Sequence, residues 1–220
     1  TITFIPSEAL RAGVRHYFYL GYSPYIKDLA GNRVSNSNYR YFTTAYETDD
    51  VAPNVLSTNI TTNATNMPIN GAVELTFDER LNRGCLLDEG IKVEANGIAI
   101  DIDLALSSDD KTLSITPVEN FSAATNYVLT MSDICDYAGN TNDSYQLEFS
   151  TLSNTEVDND APGLVSISPD HQATEITTSL STITMEFDED IDQRTAPEVR
   201  GAGITVPGSY QVTGNTVVFT

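Results

Sequence analysis

A chain of 220 residues is long enough for one or two domains with a sizeable buried core. Its 31 acidic residues against 11 basic ones give a formal net charge of −20, which repels nucleic acid and anionic membrane surfaces and attracts cations. No run of 18 apolar residues occurs, so no segment is read as inserting directly into a membrane.

The first element, Thr1 to Pro6, reads as a strand in the middle of a domain, which places any targeting or anchoring signal outside these residues. Tyrosines then crowd the chain at Tyr17, Tyr19, Tyr22, Tyr25, Tyr39, Tyr41 and Tyr46, with Tyr22 and Tyr25 in a loop of their own. Between them lies Asp28-Leu29-Ala30-Gly31-Asn32. In this segment the aspartate is able to bond the backbone ahead of it, and Gly31 is able to take positive φ. A short acidic linker ending in Asp49 and Asp50 leads to Ala52-Pro53, which cannot continue a strand ladder.

From there the period is two. Val73, Leu75 and Phe77 alternate with Glu74, Thr76 and Asp78, and similar alternation predicts strands over 54–58, 91–95, 98–104, 113–115, 127–131 and 145–149. About seven strands separated by Gly, Asn, Asp and Pro clusters, with no amphipathic helix, predict an all-β chain of antiparallel sandwiches.

Self-similarity fixes the organisation. Asp28-Leu29-Ala30-Gly31-Asn32 returns as Asp136-Tyr137-Ala138-Gly139-Asn140, Phe77-Asp78-Glu79 returns as Phe187-Asp188-Glu189, and Ala52-Pro53 returns as Ala161-Pro162. A period near 110 is the size of an immunoglobulin-like domain. On this register residues 1–50 are the C-terminal half of one repeat, 51–157 a complete repeat, and 158–220 the N-terminal half of a third. Each half repeat lacks complementary strands, so head-to-tail self-association through the halves is an expectation.

These stretches resemble the bacterial immunoglobulin-like repeats of S-layer proteins and giant surface adhesins. The matching segments are Asp50-Val51-Ala52-Pro53, Thr76-Phe77-Asp78-Glu79, Asp110 to Pro117, Ala123 to Tyr127, Asp136 to Asn140 and Phe149-Ser150-Thr151. The resemblance implies tandem immunoglobulin-like sandwiches serving as a non-catalytic spacer or display module outside the cell, with neighbouring repeats of the same chain as partners. The alternative is an accessory carbohydrate- or ligand-binding module of a secreted enzyme, which a flat row of exposed tyrosines would favour.

Catalysis finds no support in the residues: His16 and His171 fall in different repeats, and neither sits beside a nucleophile motif or a phosphate loop. The acids offer more. If strands B and F run the same way, the loops after them meet at one pole, bringing Asp49, Asp50, Asp78, Glu79 and Asp136 towards one volume. Oxygen ligands of that kind suit calcium. The third repeat offers Asp158, Asp160, Asp188, Glu189 and Asp190 at the equivalent pole. The competing reading is a solvated acidic surface in which the Asp-x-Ala-Gly-Asn loop is purely structural. Cys85 and Cys135 belong to the same pole of the middle repeat, where they form either a disulfide or two partly buried thiols. Tyr22 and Tyr25 are candidates for stacking on a ligand, against a reading as core and cross-strand residues.

Overall fold

A computed structural model describes residues 4–8, 10–19, 26–34, 39–87 and 90–220. The chain divides into two compact units, Thr1–Asp50 and Val51–Thr220. In the first, β1 (Arg15–Tyr19) and β2 (Tyr39–Thr43) form an antiparallel ribbon in which Tyr17 faces Tyr41 and Tyr19 faces Tyr39. Alternation puts those four tyrosines on one side of the ribbon and His16, Phe18 and Phe42 on the other. On that second side Phe4 meets Phe18 edge-on, with ring centroids 5.9 Å apart. Phe4 to Pro6 carry no strand pairing, so the strand expected at the start is not found among the described residues.

The second unit contains a complete sandwich. One sheet orders its strands β3 (Val55–Thr58), β5 (Val73–Phe77), β9 (Thr112–Pro117) and β8 (Ile102–Leu106). The other orders them β4 (Ala64–Met67), β11 (Tyr145–Thr151), β10 (Asn126–Met131), β6 (Ile91–Ala95) and β7 (Ile98–Ala99). The orders correspond to A-B-E-D facing a G-F-C sheet, the immunoglobulin arrangement. Val73, Leu75 and Phe77 from one sheet and Val93, Leu129 and Leu147 from the other are almost wholly buried in one core. Each such side chain contributes about 1.5–3 kcal/mol by leaving water.

Two details depart from the sequence reading. The strand expected over 98–104 is two, because the chain leaves one sheet after β7 and joins the other as β8. The turn before β7 holds both Asn96 and Gly97 at positive φ (52° and 77°), the geometry of a tight hairpin. A further strand, β4, pairs in parallel with β11, so the first strand of the sandwich is shared between the sheets.

Residues 158–220 repeat the first half of this plan. β12 (Leu164–Ser168), β13 (Ile183–Phe187), β17 (Thr216–Phe219) and β16 (Tyr210–Thr213) form a second A-B-E-D sheet. The short ribbon of β14 (Arg200–Gly201) and β15 (Ile204–Thr205) turns through Ala202 and Gly203, again both at positive φ.

Candidate functional site at the poles of the repeats

The Asp-x-Ala-Gly-Asn segment forms the same loop twice. Asp136 is 1% exposed, and its Oδ1 accepts from the backbone N–H of Gly139 (2.6 Å) and of Asn140 (2.9 Å), while its Oδ2 accepts from Asn140 Nδ2 (2.8 Å). In the first unit the Asn32 backbone N–H and Nδ2 each donate to Asp28 at 2.8 Å. Gly31 and Gly139 adopt φ of 89° and 95°, where an L side chain is strained. Flanking bridges match as well, Lys27 with Arg33 and Cys135 with Thr141. Burial pushes the Asp136 carboxyl towards its neutral form, yet hydrogen bonds from Asn140, Gly139 and Ala138 prevail and hold its pKa below the ordinary 3.8.

Glu79 reaches this loop from the end of β5. Leu81 bridges to Asp136, the Asn82 N–H donates to the Cys135 carbonyl at 2.8 Å, and carboxylate oxygens of Glu79 and Asp136 lie within 4.8 Å of one another. Asp78 faces elsewhere: its Oδ1 accepts from the Asn54 backbone N–H at 2.9 Å and so ties the start of strand A to the end of strand B. Asp188 does the same for Gly163 at 2.6 Å, which makes the clamp a property of the repeat. Asp49 and Asp50 are exposed and close the first unit. Tyr22 and Tyr25 lie outside the described residues.

Cys85, carried on a 3₁₀ turn over Arg83–Leu87, is joined to Cys135 in a disulfide with Cα atoms 5.7 Å apart. The bond crosses from the turn after strand B to the segment before the Asp136 loop.

In the third repeat the acids gather too. The Glu189 pKa is raised, first by burial and then by the negative charges of Asp158, Asp188 and Asp160. Asp190 accepts a hydrogen bond from Asn66 Nδ2.

Two arrangements escaped the sequence reading. Asp110, 5% exposed at φ 60° in the turn between β8 and β9, pairs with Arg80 and Arg83 at 2.7 Å each and accepts from the Tyr137 hydroxyl at 3.1 Å. The Arg80 hydrogen bond leads the interactions that lower its pKa against the opposing effect of burial. It thus ties the D–E turn to the Asp136 loop.

The other is a polar joint between the complete sandwich and the sheet that follows. Gln193 Nε2 donates to the carbonyls of Thr58 (2.6 Å) and Ile60 (3.0 Å) and to Thr58 Oγ1 (2.8 Å). Arg194, three-quarters buried, pairs with Glu74 at 2.6 Å. Asn70 Nδ2 donates to the Asp158 carbonyl, and Asn70 Oδ1 accepts the Asp158 N–H. A cavity of about 560 Å³ lies beside the joint, lined by residues that include Asn59, Asn66, Met67 and Asp190.

The family described as bacterial Ig-like domain matches residues 49–151 and again 158–220. No curated protein matches the chain. Among solved structures, the surface layer protein SbsC (domains 1–6) is similar at 16% identity and a TM-score of 0.38, over 54% of this chain and 15% of its own. PcoC, a methionine-rich copper resistance protein from Escherichia coli, is similar at 17% identity and a TM-score of 0.39, over 46% of this chain and 99% of its own. The chain therefore spans only a small part of the S-layer protein.

Proposed function

Because this chain belongs to the bacterial Ig-like domain family, we propose that it is a non-catalytic spacer and display segment of a large extracellular surface protein, of adhesin or S-layer type. The observation that carries this reading is the joint built by Asn70, Gln193 and Arg194. A module that only tethered would leave its repeats on a free linker, whereas one that extends a structure must resist bending. Contacts that bind the end of one sandwich to the start of the next supply that resistance. The disulfide fits an oxidising compartment outside the cell. The net charge of −20 suits a solvated surface exposed to salt.

Calcium is proposed as a second stiffening element. Hydrogen bonds within its own loop hold the Asp136 carboxyl in its charged form, and an oxygen that accepts such a bond is also able to face a cation. Glu79 supplies a further oxygen close by, and the linker acids Asp49 and Asp50 precede the sandwich directly in sequence. The repeat sets Asp158 and Glu189 at the corresponding positions. A hard dication would relieve the repulsion among these carboxylates.

Calorimetry of the full chain with calcium and with chelator tests the metal. At a free calcium concentration about 100 times the dissociation constant, stabilisation of about 2.7 kcal/mol is expected, seen as a melting temperature several degrees higher. Identical melting curves would remove the metal and leave the polar joint as the stiffening element.

A further inference from the structure

We propose that the outer face of the β1–β2 ribbon is a binding platform for an uncharged polysaccharide, formed by Tyr17, Tyr19, Tyr39 and Tyr41. The four side chains are 45%, 58%, 52% and 56% exposed and form two cross-strand pairs side by side. Neighbouring ring centroids are 5.7 to 6.4 Å apart, so the rings make one continuous aromatic surface.

The fold does not require this surface. The β1–β2 ribbon corresponds to β10–β11, because the Gly13 N–H donates to the Ala45 carbonyl as the Ala124 N–H donates to that of Leu152, with Gly13 and Ala124 both at positive φ. On that register the pair Tyr17 and Tyr41 stands where Val128 faces Glu148, and the pair Tyr19 and Tyr39 where Thr130 faces Gln146. These are outward positions, since the alternating partners Tyr127, Leu129, Leu147 and Phe149 are the buried ones. The middle repeat thus builds the same ribbon without any of the four aromatics. Cross-strand tyrosine pairs do stabilise a ribbon, by about 0.2–1 kcal/mol each, but His16, Phe18 and Phe42 already supply aromatic contacts on the opposite side.

The chemistry selects the occupant. Ring faces carry partial negative charge and attract the weakly positive C–H groups of a pyranose, and a phenolic hydroxyl both donates to and accepts from sugar hydroxyls. Arg15, whose guanidinium lies 4.6 Å from the Tyr41 ring centroid, adds donors at the edge. A flat strand face offers no groove for a helix, and its ladder groups do not point outward to add a peptide strand. Residues 1–50 carry five basic and five acidic residues, so the unit has no excess of positive charge to hold a polyanion. A flat, neutral, hydroxyl-rich polymer satisfies all of these conditions. The site stands independently of the joint and of calcium.

The full chain should co-sediment with at least one of chitin, cellulose and an insoluble neutral β-glucan, and should fail to bind immobilised heparin. Replacing the quartet by its middle-repeat counterparts (Tyr17→Val, Tyr19→Thr, Tyr39→Gln, Tyr41→Glu) should weaken retention at least tenfold. The double variant Tyr19→Thr with Tyr39→Gln, which adds no charge, should weaken it too, and circular dichroism should stay unchanged in both. Failure to bind all three polymers overturns the proposal, as does equal retention by the folded quadruple variant. Concentration-dependent self-association that the quadruple variant abolishes, without polysaccharide retention, would assign the face to a second copy instead.

Discussion

Reduction of the Cys85–Cys135 disulfide is expected to destabilise the sandwich by about 4 kcal/mol. The bond closes a loop of 50 residues in sequence, and closing a loop of that size removes unfolded-state entropy worth about this much. The effect is expected to be unequal along the chain, because both cysteines lie in the complete repeat and none elsewhere. Intact-mass measurement should show two hydrogens gained on reduction, and urea titration of the reduced chain should show a midpoint shift in the transition of residues 51–157. Free alkylation of both thiols in the native protein would mean that the bond does not form. An unchanged midpoint after verified reduction would mean that the reduced loop retains its native order.

Asp136→Ala should cost a comparable amount, about 3 kcal/mol. The substitution leaves the backbone N–H of Gly139, the backbone N–H of Asn140 and Asn140 Nδ2 without the buried carboxylate that accepts from them. Asp28→Ala should have a smaller effect, because that loop is exposed to water able to replace the lost acceptor. The pH dependence has a definite sign. The folded pKa of Asp136 lies below the ordinary 3.8, so its contribution is fully present above that value and is lost as pH falls through the folded one. Denaturant midpoints from pH 6 downward should therefore fall less steeply below about pH 4 in the variant than in the parent. Parallel pH profiles would show that Asp136 is not held charged by its loop.

The fold was readable because its signals are local or recurrent. Alternation over 73–77 gave a core strand, and the return of Phe77-Asp78-Glu79 as Phe187-Asp188-Glu189 gave the repeat. The Asp136 loop was readable for the same reason: its Asp, Gly and Asn bond one another within four residues. β4 gave no signal, since Ala64 to Met67 is too short to show an alternation and its parallel partner lies more than 80 residues away. Asp110 was unreadable as a hub, because Arg80 and Arg83 reach it across 30 and 27 residues with no period to announce them. The tyrosines were visible as a crowd, but only the pairing register separates Tyr17, Tyr19, Tyr39 and Tyr41 from the face that carries His16, Phe18 and Phe42. Gln193 and Arg194 read as ordinary loop residues, and their partners lie 135 and 120 positions away.

That joint is where a spacer stands or falls. Pulsed dipolar spectroscopy of the full chain, with spin labels placed by Ser144→Cys on the complete sandwich and Ser181→Cys on the sheet that follows, measures its stiffness directly. Both positions are exposed, and neither is one of the residues that build the joint. A rigid spacer predicts a single narrow distance distribution that broadens when Gln193→Ala and Arg194→Ala are combined. A broad distribution in the parent protein, or one left unaltered by the double substitution, would contradict the account.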